Sequence, residues 1–160
     1  MNNKVKNIGI LLMASMLMLN TSCIKNEICI SANNLLSTEL YTVNDHSEIV
    51  AYKIDSISLF TIAYQDTMYY NAKKLDKFSI PLADTATQLT LILKLNGDQD
   101  TIWLNYRPYS VFRSTTCGVI NRYEIQNLSF TNNSIWEIYI KNNIIDENKE
   151  INFLMFYRTH

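Results

Sequence analysis

The chain has 160 residues, with 14 basic and 15 acidic side chains and a net charge of −1. Charges of both signs are scattered, so there is no electrostatic footprint for nucleic acid and no basic cluster to mark a second membrane contact. Two histidines and three cysteines, without a Cys-x-x-Cys pair, a His-x-x-x-His helix or a nucleophile elbow, exclude the common metal and nucleophile signatures.

The chain opens with Lys4 and Lys6, followed by the uncharged, largely apolar run Ile8 to Leu19. That run is short of the roughly 20 residues a transmembrane helix needs, and with its positive start it reads as a secretory signal. Met1 to Ser22 are expected to be a cleaved signal peptide. Thr21 and Ser22 place small residues before Cys23, as a lipoprotein peptidase requires, although Asn20 stands where a leucine-like residue is usual. Cys23 is expected to become the acylated N-terminus, since two or more acyl chains give a stable anchor.

Cleavage leaves 138 residues, an ordinary single domain. It also removes both leading lysines, so the net charge falls to −3. With Cys23 lipidated, Cys29 and Cys117 remain, and an even remainder in an exported chain reads as a disulfide. The alternative is two free buried thiols. The closed loop of 88 residues would contribute about 4–5 kcal/mol in the chain-entropy picture. Residues 23–36 read as the lipidated N-terminus and a short tether, and 37–160 as the folded domain.

Strand formers dominate that domain, and period-two alternation recurs. Strands are expected at Ser37 to Val43, Ile54 to Tyr64, Met68 to Asn71 and Phe78 to Pro81. The clearest unit is a hairpin. Leu89, Leu91, Leu93 and Leu95 alternate with Thr90, Ile92 and Lys94, Asn96-Gly97-Asp98 supplies the turn, and Ile102, Leu104 and Tyr106 share a face on the return. Arg107-Pro108 is expected to end that strand. Further strands follow from Cys117-Gly118 through Tyr123 and Ile125. Another places Trp136, Ile138 and Ile140 on one face. The last is Ile151 to Tyr157, apolar on both faces as a central strand would be. The prediction is all-β: a single antiparallel β-sandwich, immunoglobulin-like or similar, with seven to nine strands, a barrel being the lesser alternative.

Few residues offer chemistry. His46 lies in a polar Asn-Asp-His-Ser loop, and His160 is the final residue. Asn96 to Asp100 has oxygen ligands for calcium but lacks the closing bidentate Glu of an EF-hand, and the turn already explains it. Asp98 and Asp100 are a nominal acid pair for glycoside hydrolysis, but neighbours on a turn are weak evidence for that geometry. Tyr69-Tyr70, Trp103, Tyr106 and Tyr109 are aromatic, which in a β-domain more often means core than contact surface. Trp103, Tyr106 and Tyr109 are the residues proposed for a binding surface. No cofactor and no metal are expected.

Taken in order, Cys23, Cys29, Asp55 to Leu59, Asp100 to Tyr106, Cys117-Gly118, Asn127-Leu128 and Ile151 to Tyr157 resemble the pattern of small Bacteroidetes envelope lipoproteins classed as a domain of unknown function. Thr115-Thr116 stand where such proteins often carry Arg-Ala. The resemblance implies an envelope lipoprotein with no catalytic activity and an outer-membrane barrel protein as candidate partner. The expected function is a non-catalytic accessory or protein-interaction module. It would be held at the outer membrane by its N-terminal lipid, on the periplasmic face or the cell surface. The alternative is a glycan- or peptide-binding lipoprotein using the aromatic surface, and a hydrolase ranks last.

Overall fold

A computed structural model describes residues 35–62, 67–72 and 74–158, the backbone alone for 67–72. The expected signal peptide, Cys23, Cys29 and His160 lie outside the described residues. Eleven strands and no helix are found among those described: β1 (Leu35–Val43), β2 (Ile49–Ala51), β3 (Ile57–Thr61), β4 (Thr67–Ala72), β5 (Lys77–Pro81), β6 (Gln88–Leu95), β7 (Asp98–Ser114), β8 (Gly118–Phe130), β9 (Ile135–Ile140), β10 (Ile144–Ile145) and β11 (Phe153–Tyr157).

They form two sheets. In the five-stranded sheet the order is β2-β1-β11-β9, with β5 also on β1. β5 pairs with Leu35 to Glu39 and β2 with Tyr41 to Val43. The six-stranded sheet runs β10-β8-β7-β6-β3-β4. Alternation decides what each strand buries. Leu36 and Leu40 of β1, Phe78 and Ile80 of β5, and Phe153 and Met155 of β11 point inward. They meet Ile57, Leu59, Leu89, Leu91, Leu93, Ile102 and Leu104 from the other sheet in one core. The expected all-β sandwich is the observed one, with two corrections. It has more strands than seven to nine. It is also not wholly antiparallel, because β1 and β11 pair in parallel, Thr38 opposite Phe153 through Tyr41 opposite Phe156. That pair joins the first and last strands, and a parallel pair is allowed because the whole chain intervenes as crossover.

The hairpin turn is as expected: Asn96 (φ 50°) and Gly97 (φ 102°) both sit at positive φ, the requirement of a two-residue hairpin loop. The end of β7 is not. The strand runs through Arg107-Pro108 to Ser114. β6 pairs with β7 only as far as Asn105, and beyond it, among the described residues, β7 has only β8 beside it. β7 is an edge strand there, where a residue without an N–H is tolerated. β10 still pairs with β8 at Glu124 and Tyr123, so the segments 109–114 and 118–122 continue as a two-stranded ribbon past the ends of β6 and β10.

A further correction concerns phase in β9. Ile138 and Ile140 stand opposite the inward Met155 and Phe153 and share a face, though Ile140 is part-exposed, but Trp136 does not join them. Ile135 is buried instead, and Trp136 is turned out. Tyr157 pairs with Ile135 and Phe156 with Glu137, so the register slips by one residue. This β-bulge shifts the alternation. β11 does lie inside its sheet, between β1 and β9. Its outward Phe156 is covered by Trp136 and Tyr41, with ring centroids 5.2 and 5.9 Å away.

Candidate functional site

The three aromatic residues expected to form a surface are split by the strand that carries them. Even-numbered positions of β7 from Asp100 to Tyr106 face the core, and Tyr106 is 1% exposed. Its hydroxyl donates to the Ala83 carbonyl (3.1 Å) and accepts from the Ala83 N–H (3.3 Å), and its ring meets Tyr123 edge-on at 5.8 Å. Tyr106 is therefore a core residue, not a surface one, as its shared face with Ile102 and Leu104 requires. Trp103 is 44% exposed on the outer face, opposite Thr90 and Ser129 on the neighbouring strands. Tyr109, further along the ribbon, lies under the Arg107 guanidinium at 5.8 Å. Six residues of strand, about 20 Å, separate Trp103 from Tyr109, so they do not make one site.

The nominal acid pair is also resolved. Asp100 is fully buried, and its carboxylate accepts five hydrogen bonds from one loop. Oδ1 takes Thr131 Oγ1 (2.7 Å) and the Asn133 N–H (2.8 Å). Oδ2 takes the Ser134 N–H (2.8 Å), Ser134 Oγ (2.6 Å) and the Ile135 N–H (3.0 Å). Burial alone would raise its pKa, but the hydrogen bonds from Ser134, Asn133 and Thr131 outweigh burial and hold it below the usual carboxylate value. All its lone pairs are committed to fixing the β8–β9 turn, so it has no capacity left for a substrate or a calcium ion. Asn96 spends its Oδ1 on the Ser56 N–H (3.1 Å), which further dismantles the nominal calcium loop. His46 sits exposed in the β1–β2 turn, where its N–H meets Asn44 Oδ1 (3.0 Å).

The most developed surface is one the sequence reading did not single out. On the outer face of the five-stranded sheet, Tyr41, Phe156 and Trp136 form an aromatic row. Trp136 is 37% exposed and Tyr139, on the same edge strand, more so. Glu39 borders the row, where its ion pair with Lys77 and a hydrogen bond from Tyr41 (2.9 Å) fix it. The Lys77 hydrogen bond holds the Glu39 carboxyl below its usual range. Past Trp136 the sheet ends in an open cleft of about 400 Å³ lined by Thr42, Val43, Trp136, Tyr157 and Arg158. Arg158 anchors its backbone to the Ser134 carbonyl (2.8 Å) and gives one guanidinium hydrogen bond to Asn132 Oδ1 (3.2 Å). An indole face, an aliphatic side chain and a cation around an open cleft suit contact with another molecule rather than bond-making. The signal that could have revealed this surface is Trp136 itself. The bulge that turns it outward leaves no mark in the alternation pattern.

The two ends of the sandwich differ. The cleft lies where β1 ends. At the other end, where β1 begins, Leu35 pairs with Pro81, and the loop after Pro81 is held by Tyr106 and by Tyr123, whose hydroxyl bonds Asp84 Oδ1 (2.6 Å) and the Leu82 carbonyl (3.2 Å). The ribbon starts just past those tyrosines, so it projects from the end at which the N-terminal chain enters. At its tip, Cys117 is disulfide-bonded, with its partner outside the described residues.

Among the described residues there is no cluster of three or more metal-ligating side chains, and no helix long and apolar enough to cross a membrane. A family model matches residues 41–157, and its description is a family of unknown function, DUF6452. No curated protein and no solved structure matches the chain.

Proposed function

The chain belongs to DUF6452, a family of unknown function, and on that footing we propose that it is an envelope lipoprotein whose sandwich acts as a non-catalytic interaction module. Cleavage after Ser22 and acylation of Cys23 anchor it in the outer membrane. Cys117 is disulfide-bonded and Cys23 is taken by lipid, so Cys29 is its partner. An outer-membrane barrel protein is the partner class proposed for the module.

The observation that carries this reading is the polarity of the sandwich. The aromatic row and cleft around Trp136 lie at the end of β1 opposite to the one where the anchored chain enters. Eight steps along β1 place them about 26 Å beyond that point, a suitable position for meeting the part of a neighbour that projects from the membrane. The test is mild cross-linking in intact cells followed by capture of the full chain. The expected result is a barrel protein that is captured by the native chain and lost with Trp136→Ser, while Trp103→Ser retains it. Equal capture by Trp136→Ser would overturn the role of this surface. Full recovery of the chain in the aqueous fraction would overturn the anchor.

A second reading has its own observation. Trp103 stands 44% exposed in the middle of the polar outer face of the six-stranded sheet, an arrangement that suits stacking on a sugar ring. Binding to a glycan array that is abolished by Trp103→Ala, with no effect of Trp136→Ser, would select this reading over the first.

A further inference from the structure

The tip of the β7–β8 ribbon carries apolar side chains that the two sheets do not bury. Phe112 and Val119 are cross-strand partners, yet they are 68% and 64% exposed. An apolar pair of this kind stabilises a ribbon only when something covers it. Ser114 to Ile120 carries no charge. Arg113, next to Phe112, and Arg122, three residues past Val119, both reach the single carboxylate of Glu147, at 3.5 and 2.7 Å. Apolar side chains beside an uncharged turn, with guanidinium groups drawn back to Glu147, match the depth profile of a bilayer surface. The apolar groups enter the acyl boundary, and the cations stay level with the phosphates.

Chain geometry brings that tip to the membrane. The ribbon projects from the end at which the N-terminal chain enters the sandwich. Cys117 lies two residues before Val119 and is disulfide-bonded. Cys23 and Cys29 are six residues apart in the sequence, which covalently limits their separation to about 20 Å. A lipid on Cys23 and a bridge from Cys29 therefore hold the tip within that distance of the headgroups.

We propose that the Phe112–Val119 tip rests in the interfacial layer of the lipid bilayer as a second membrane contact. With the lipid, it fixes the orientation of the sandwich and points the Trp136 cleft away from the surface. This proposal rests on the reading of Cys23 as the lipid-bearing residue. A single anchor leaves a domain free to tumble on its tether, whereas two separated contacts remove that freedom.

The test uses the full processed chain reconstituted in vesicles of phosphatidylethanolamine and phosphatidylglycerol. Its intact mass first establishes acylation at Cys23. A chain without an acyl group would overturn the anchor reading and the tip proposal with it. For the acylated chain, Phe112→Trp adds an indole at the tip and Val43→Trp adds one at the far end, and native emission is subtracted for both. The tip indole is expected to shift to the blue and to be quenched by brominated acyl chains. The far indole is expected to be quenched only by aqueous acrylamide. Acrylamide quenching of both, with no effect of brominated lipid, would overturn the tip proposal and leave the anchor standing. So would protection of the tip only when another envelope protein is added. An independent measurement removes the lipid with Cys23→Ala. Vesicle binding of that chain should fall by about tenfold when Phe112 and Val119 are both changed to Ser. Both sites are exposed, so their substitution leaves the core unchanged. Unchanged vesicle binding would count against the proposal.

Discussion

Asp100 shows most directly what a residue's type conceals about its role. Read in sequence it is half of an acid pair; in the structure it is the organising centre of the β8–β9 turn. Replacing it by Asn keeps the shape but turns one acceptor into a donor facing three donors, Ser134 N–H, Ser134 Oγ and Ile135 N–H. Leaving buried donors unsatisfied costs about 1–3 kcal/mol for each group that cannot find water, so Asp100→Asn should lose about 2–4 kcal/mol in urea denaturation. The pH dependence has a definite sign. The folded-state pKa lies below the ordinary value of 3.8, so the stabilisation is fully present above 3.8 and is lost as pH falls through the folded pKa. The gap between native chain and Asp100→Asn should therefore narrow under acid conditions and be constant near neutrality. A gap that widened as pH fell would contradict this account. The sequence gives no warning of this network, because its donors lie more than thirty residues downstream on a turn recognisable only by its two asparagines.

At the scale of the element, alternation made most strands legible, and local events defeated it at two places. The Leu89 to Leu95 alternation and the Asn96-Gly97 turn were readable because each needs only neighbours in sequence. The bulge in β9 and the passage of β7 through Pro108 depend on where a partner strand slips or stops, which a single strand's sequence does not encode. β1 adds a further case. It is paired on both edges, and its inward row is Leu36, Thr38, Leu40 and Thr42. Thr42 Oγ1 donates to the Tyr157 carbonyl at 3.0 Å, but the buried Thr38 hydroxyl has no hydrogen-bond partner among the described residues. A buried hydroxyl without a partner is a cost that an isosteric methyl removes. Thr38→Val should raise stability by about 1 kcal/mol, read as a higher urea midpoint with an unchanged slope. The equivalent change at Thr42 should lower stability. If both changes destabilised equally, Thr38 would have to be satisfied in solution.

For the molecule as a whole, the architecture is set by one long-range fact, the parallel pairing of first strand with last. Composition and alternation identify an all-β sandwich, but they say nothing about which strands are neighbours. That choice is made by burial over distances no sequence window spans. The cysteines bear on the same scale. The ribbon tip carrying Cys117 projects from the end at which β1 begins, and a bridge to Cys29 would close a loop that contains β1 to β7. In the chain-entropy picture an 88-residue loop contributes about 4–5 kcal/mol, acting chiefly on the unfolded chain. Cys117→Ser in the full chain should therefore lower the unfolding free energy by several kcal/mol and leave the near-ultraviolet spectrum of the folded state almost unchanged. Reduction of the native chain should reproduce the loss, and the two together should not exceed either alone. If reduction instead altered the folded spectrum, the bridge would be holding native structure that the two sheets do not hold themselves. The ribbon would then depend on its tether for its shape as well as for its place at the membrane.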